Sequence, residues 1–109
     1  MIKNYKKLEN IIEYKFKDSI LLKKALTHKS FDNINNNEKL EFLGDRVLGL
    51  VISKKLIEIY PKEKEGIIDK KFANLVNKKT CLEISKNIHV NEYMFLAESQ
   101  KSLSRSTDK

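Results

Sequence analysis

Apolar residues along this chain recur at three- and four-residue spacings, and no window holds the sustained two-residue alternation of a half-buried strand. The pattern predicts an all-α fold of four to five helices. Tyr5, Leu8, Ile11 and Ile12 share one face of a first helix over roughly residues 2 to 13. A second begins after Asp18 or Ser19, either of which can cap free N–H groups, and carries Ile20, Leu21, Leu22, Ala25 and Leu26. The Asn-rich run "KSFDNINNN" then reads as a loop, because short polar side chains compete with helical hydrogen bonds.

From Glu38 the helical pattern resumes and continues to Tyr60, where Pro61 removes a donor and restricts the residue before it. This is the longest and most apolar element. A fourth helix is predicted from about Gly66 to Ile88, burying Ile68, Phe72, Leu75, Val76, Leu82 and Ile84, and "YMFLA" at 93–97 reads as a last half-helix. The remainder, 98–109, is polar and Ser-rich with nothing to bury, so a loose tail is expected. One domain over residues 1–97 is the natural division, since 109 residues with 40% hydrophobic content can bury one core.

Composition narrows the setting. There is no apolar run long enough to span a bilayer and no signal-peptide pattern at the N-terminus, so a soluble, cytoplasmic protein with no membrane partner is expected. Cys81 is the single cysteine, which excludes a disulfide framework and a cysteine zinc site. The net charge of +7 points toward a polyanion, although the Lys pairs read equally well as solvated helix faces.

Candidate chemistry concentrates in "NEKLEFLGD", residues 37–45. At about 100° per residue, Glu41 lies roughly 300° and Asp45 roughly 700° around a helix from Glu38, so the three carboxylates project within an arc of roughly 60°. Like charges so placed cost roughly 0.2–0.5 kcal/mol per pair, more if the flanking Leu40, Phe42, Leu43, Val47 and Leu48 partly bury the face. A divalent cation offsets that cost, and Mg²⁺ suits hard oxygen ligands. The plainer account is that first-turn acids complement the helix dipole and Asp45 pairs with Lys39 or Arg46. Gly44 favours the site, since a Gly within a helix costs about 1 kcal/mol relative to Ala and often marks a close approach to the backbone. Gly49 repeats the device, with close helix packing as an equal explanation. His28 and His89 have no second His or Cys at metal spacing and read as helix-end or packing residues.

"NEKLEFLGDRVLGLVIS" closely resembles the signature of the ribonuclease III endonuclease domain, with "ALTHKS" before it and "EGIIDKKFANLVNKKTCLEIS" after it in the family's order. The resemblance covers nearly the whole chain. It implies an all-α homodimer that uses Mg²⁺, with Mn²⁺ as a substitute, to cleave double-stranded RNA into 5′-phosphate and 3′-hydroxyl ends during ribosomal and other RNA processing, with no small-molecule cofactor. By motif position, Glu41 and Asp45 match the metal-binding and catalytic acids, and Glu38 matches a further acid beside them. Phe42 matches an aromatic that enters a socket on the partner subunit, with an ordinary core Phe as the alternative. Glu65 matches an accessory acid or else is a first-turn helical Glu.

The chain also departs from that pattern. The family completes its site with a second acidic pair on a later helix, written roughly D-x-x-E-A-L-x-G, and residues 1–109 contain neither this element nor a double-stranded RNA-binding domain. The expectation is an incomplete endonuclease domain carrying the first half of an acidic cluster, whose own activity is in question. The competing function is a non-catalytic helical dimer that binds RNA or a ribonucleoprotein.

Overall fold

The computed structural model describes residues 4–99, in which five α-helices and one 3₁₀ turn are the regular elements. The first helix, α1 (Lys6–Ile12), ends where Glu13 adopts a left-handed conformation at φ 57°. Helix α2 (Ser19–Ala25) is capped by Asp18, whose carboxylate accepts from the Ile20 and Leu21 N–H groups at 3.1 Å each. Of the two predicted caps, Asp18 is the one used. Helix α3 (Glu38–Ile59) stops at Tyr60, one residue before Pro61, as the missing proline donor requires.

The predicted fourth helix is two. Helix α4 (Glu65–Val76) and helix α5 (Lys78–Asn87) meet at Asn77, whose extended backbone at φ −71°, ψ 163° breaks the run. Its side chain serves both ends, donating to the Ala73 and Asn74 carbonyls at 3.1 and 3.2 Å and accepting from Thr80 N–H at 2.8 Å. Continuous apolar periodicity concealed the break, because Asn satisfies the backbone groups that the interruption frees. The expected half-helix at 93–97 is also corrected. A 3₁₀ turn (Val90–Tyr93) precedes it, and Phe95 pairs with Thr27 in an isolated parallel bridge. Of the predicted tail, Glu98 and Ser99 begin a helical turn, and 100–109 fall outside the described residues.

The core sits at one end. Leu8 from α1, Leu22 from α2, Leu26 and Tyr93 form one buried cluster, with Tyr5, Ile12, Phe16, Val90 and Met94 packed around it. Helix α3 runs outward and packs on α4, which packs on α5. At Gly49 a Cβ would stand 3.6 Å from the Phe72 ring, an ordinary contact, so the packing of α3 on α4 does not itself demand glycine there. The apolar face predicted to bury the acids is open instead: Phe42 is 61% exposed, Leu50 70% and Ile57 59%, while Leu56 is the buried residue of α3. Leu75, Leu82 and Ile84, also predicted to be buried, are exposed, and Ile68, Phe72 and Val76 are half-buried. No described helix is long and apolar enough to cross a membrane.

Candidate active site on helix α3

The start of α3 is held by the segment before it. Asn37 N–H donates to the Thr27 carbonyl at 2.9 Å and its side-chain amide to the Ala25 carbonyl at 3.2 Å, while its own carbonyl accepts from Glu41 N–H at 2.7 Å. Asn36 Oδ1 accepts from Glu38 N–H at 3.1 Å, relieving one of the donors that a helix N-terminus leaves unpaired. Upstream, the Asp32 carboxylate accepts from the Ile34 and Asn35 N–H groups at 3.0 Å each. These bonds, Asn35 first and then Ile34, hold its carboxyl below the ordinary value of 3.8. The Asn-rich loop is thus closed by its own side chains, as its composition suggested.

A parallel register fixes the neighbouring strand-like segment. Phe95 N–H donates to the Leu26 carbonyl at 2.8 Å, His28 N–H donates to the Phe95 carbonyl at 3.0 Å, and Ala97 N–H donates to Ser30 Oγ at 3.1 Å. Thr27 is buried, and its hydroxyl donates to the Lys23 carbonyl at 2.6 Å. Residues 26–30 therefore have little freedom beside the first turns of α3.

Between these parts lies an open cleft of about 470 Å³ lined by His28, Lys29, Asn37, Glu38, Glu41, Phe42, Asp45 and Arg46. All three predicted acids line it together, as their helical spacing required. Asp45 Oδ2 accepts from Arg46 Nη1 at 3.1 Å, in a pair whose side chains are 71% and 61% exposed. So exposed a pair contributes little and yields readily to a stronger ligand. The Arg46 guanidinium also lies 4.1 Å from the Phe42 ring centroid and borders the acids, pairing with Asp45 as one sequence account expected. Gly44 has nothing within 4 Å of a built Cβ, so no part of the described chain explains it by close approach.

Glu65 opens α4 and is absent from the lining of this cleft. No group of three or more His, Cys, Asp or Glu among the described residues is gathered closely enough to hold a metal ion. The fit to Mg²⁺ therefore rests on Glu41 and Asp45, one helical turn apart on an open face. Mg²⁺ binds through one or two carboxylates and keeps waters and substrate oxygens in its other positions, so two such donors suit it without a closed cage. His28, Lys29 and Asn37 were not singled out for the site by sequence. For His28 and Lys29 the signal was the "THKS" tetrad, in which His and Ser two apart can hydrogen-bond locally.

The fold and cleft describe a helical domain with an acid-bearing central helix, and comparison with known proteins gives the family. The family model described as ribonuclease-III-like matches residues 18–109. The chain belongs to that family. It is 58% identical over 103 residues to Ribonuclease 3 of Pelagibacter ubique, covering 94% of this chain and 46% of that protein. It is 43% identical over 101 residues to Ribonuclease 3 of Campylobacter jejuni, covering 93% of this chain and 45% of that protein. The chain thus spans about half the length of the curated relatives it matches. A solved nuclease domain of the C. jejuni ribonuclease III, described for structural flexibility in a region involved in dimer formation, superposes with a TM-score of 0.89 at 40% identity, covering 97% of this chain and 73% of that one. A second structure of the same nuclease domain gives 0.89 over 99% of this chain.

Proposed function

We propose that this chain carries part of the catalytic domain of a Mg²⁺-dependent endoribonuclease that cleaves double-stranded RNA to 5′-phosphate and 3′-hydroxyl ends, in ribosomal and other RNA maturation in the cytoplasm. The observation that carries the reading is the single cleft lined by Glu38, Glu41 and Asp45. Glu41 and Asp45 would hold Mg²⁺, for which Mn²⁺ can substitute, and Glu38 stands beside them as a further acid. The chemistry that Mg²⁺ supplies when bound is stabilisation of charge on the phosphoryl and leaving oxygens of the hydrolysed bond. Lys29 and Arg46 border the acids and offer charge to phosphates on either side, so the cleft can attract a strand while its centre repels one that lacks a cation.

Recognition in this reading rests on phosphates, 2′-hydroxyls and duplex shape, since the grooves of A-form RNA hide most base edges from side chains. A second copy of the chain is the proposed partner, with Phe42 at the interface. At 61% exposure Phe42 is available for such packing, and two symmetry-related clefts would cut the two strands at a fixed offset. Glu65 is kept as an accessory acid for the assembled protein, outside the cleft described here.

The alternative, a non-catalytic RNA-binding dimer, is favoured by the lack of a closed three-acid cluster among the described residues. End-labelled double-stranded RNA incubated with the protein in Mg²⁺ or in EDTA, alongside Asp45→Asn, separates the two. Staggered cuts that require Mg²⁺ and disappear in Asp45→Asn are the expected result. RNA that is retarded on a gel but stays intact in Mg²⁺ would favour the alternative.

A further inference from the structure

His28 Nδ1 accepts from the Ser30 N–H, and that fixes what the rest of the ring can do. Ser30 N–H, which can only donate, lies 3.0 Å from Nδ1. The Ser30 hydroxyl lies 2.7 Å from the same atom and accepts from Ala97 N–H at 3.1 Å; since the Ser30 N–H already requires Nδ1 to be an acceptor, the hydroxyl faces it as a donor. With Nδ1 an acceptor, the proton of the imidazole resides on Nε2. The ring borders the acid cleft, and no described group takes a hydrogen bond from Nε2. A ring held by the Ser30 N–H and by a Ser30 hydroxyl that Ala97 N–H anchors therefore presents a donor at the edge of a cleft whose acids it does not engage.

From this geometry we infer that His28 contacts the RNA, its Nε2–H donating to a non-bridging phosphate oxygen of the strand lying over Glu38, Glu41 and Asp45. The inference rests on the proposed RNA reading and adds to it a neutral, oriented donor beside the charges of Lys29 and Arg46. Ser30 is a positioning residue: it holds the tautomer and the ring plane and does not touch RNA. Phosphate is favoured over a base because a lone donor at the edge of a cleft also lined by two cations meets backbone oxygens at every step of a duplex, whatever its sequence. The loop is tied to the Phe95–Ala97 segment, so the donor is set before RNA arrives and little ordering is required on binding.

The test measures binding of a short RNA duplex to the protein in EDTA, where metal plays no part, for the parent, His28→Leu and His28→Gln, with thermal melting as the control for folding. His28→Leu should weaken binding about tenfold, as expected for loss of one hydrogen bond to a charged oxygen. His28→Gln, whose amide nitrogen can occupy the Nε2 position, should recover most of that loss. A duplex in which the contacted phosphates are replaced by neutral methylphosphonates should weaken the parent by a similar factor and leave His28→Leu unaffected. Should His28→Leu fail to fold, the comparison of parent and His28→Gln on the two duplexes decides, since both should then lose affinity to the methylphosphonate. A folded His28→Leu that binds like the parent, or a parent indifferent to the methylphosphonate, would overturn the role of His28 and leave the RNA reading standing. A parent that binds no duplex would overturn both.

Discussion

The two ends of this molecule treat apolar residues in opposite ways. At the α1–α2 end, Leu8, Leu22 and Leu26 are buried to 3%, 6% and 5% exposure and the chain closes over them through Tyr93. Along α3, residues of the same kind stand open: Leu43, Val47, Leu50, Val51 and Ile57 are all more than half exposed. A helix this apolar and this bare lacks the burial that ordinarily stabilises a helix, because propensity alone leaves helices marginal. The contrast teaches that the acid-bearing helix is anchored by its N-terminal hydrogen bonds to residues 25–28 and by α4, and that its remaining apolar surface is available to further protein.

The largest expected effect tests the closed end. Leu22→Ala should destabilise the protein by about 2–5 kcal/mol in urea unfolding, the usual cost of an internal cavity, whereas Leu50→Ala should stay within about 0.5 kcal/mol when the protein is dilute enough to be monomeric. Equal costs at the two sites would break the comparison. Next, Phe42→Asp should weaken self-association at least about tenfold in sedimentation equilibrium, by placing a charge where an aromatic packs, while leaving the unfolding of the monomer nearly unchanged. Self-association unaffected by this change would remove Phe42 from the interface.

Asn77→Ala removes a side chain that caps α5 and closes α4, and should cost about 1 kcal/mol in the same urea experiment. A gain in stability would mean that the α4–α5 break is strained. The smallest effect concerns Asp32, whose carboxyl is held below its ordinary value of 3.8 by the Asn35 and Ile34 N–H groups. A lowered value means the ionised form is favoured by folding, so its contribution is present above 3.8 and fades as pH falls through the folded value. The difference in Tm between parent and Asp32→Asn should therefore shrink from about pH 5 to about pH 2, and a difference that grows on acidification would contradict the assignment.

Much of this arrangement was legible in the residues. The spacing of Glu38, Glu41 and Asp45 placed them on one face, and Pro61 located the end of α3, because both follow from helix geometry alone. The break at Asn77 was hidden, since apolar periodicity runs through it and a single capping side chain carries the turn. The residues at 93–97 looked helical by composition, yet their backbone is committed to Leu26 and His28, a pairing between positions almost seventy residues apart that no local pattern contains. His28 was passed over for the same reason: its environment is made by Ser30 and Ala97, of which only Ser30 is near in sequence. The expectation that α3 buries its apolar face followed from treating apolar residues as core, and the open face shows that apolar periodicity marks a helix without fixing what covers it.

The central claim is that Glu41 and Asp45 hold a divalent cation in the α3 cleft. Titrating Mn²⁺ into isotope-labelled protein and following paramagnetic broadening of backbone amides tests it most directly, with Asp45→Asn as the comparison. The account predicts that amides around Glu41 and Asp45 broaden first and that Asp45→Asn requires far more metal for the same effect. Broadening that begins elsewhere, for instance around His89 and Glu92, or that is indifferent to Asp45→Asn, would contradict it.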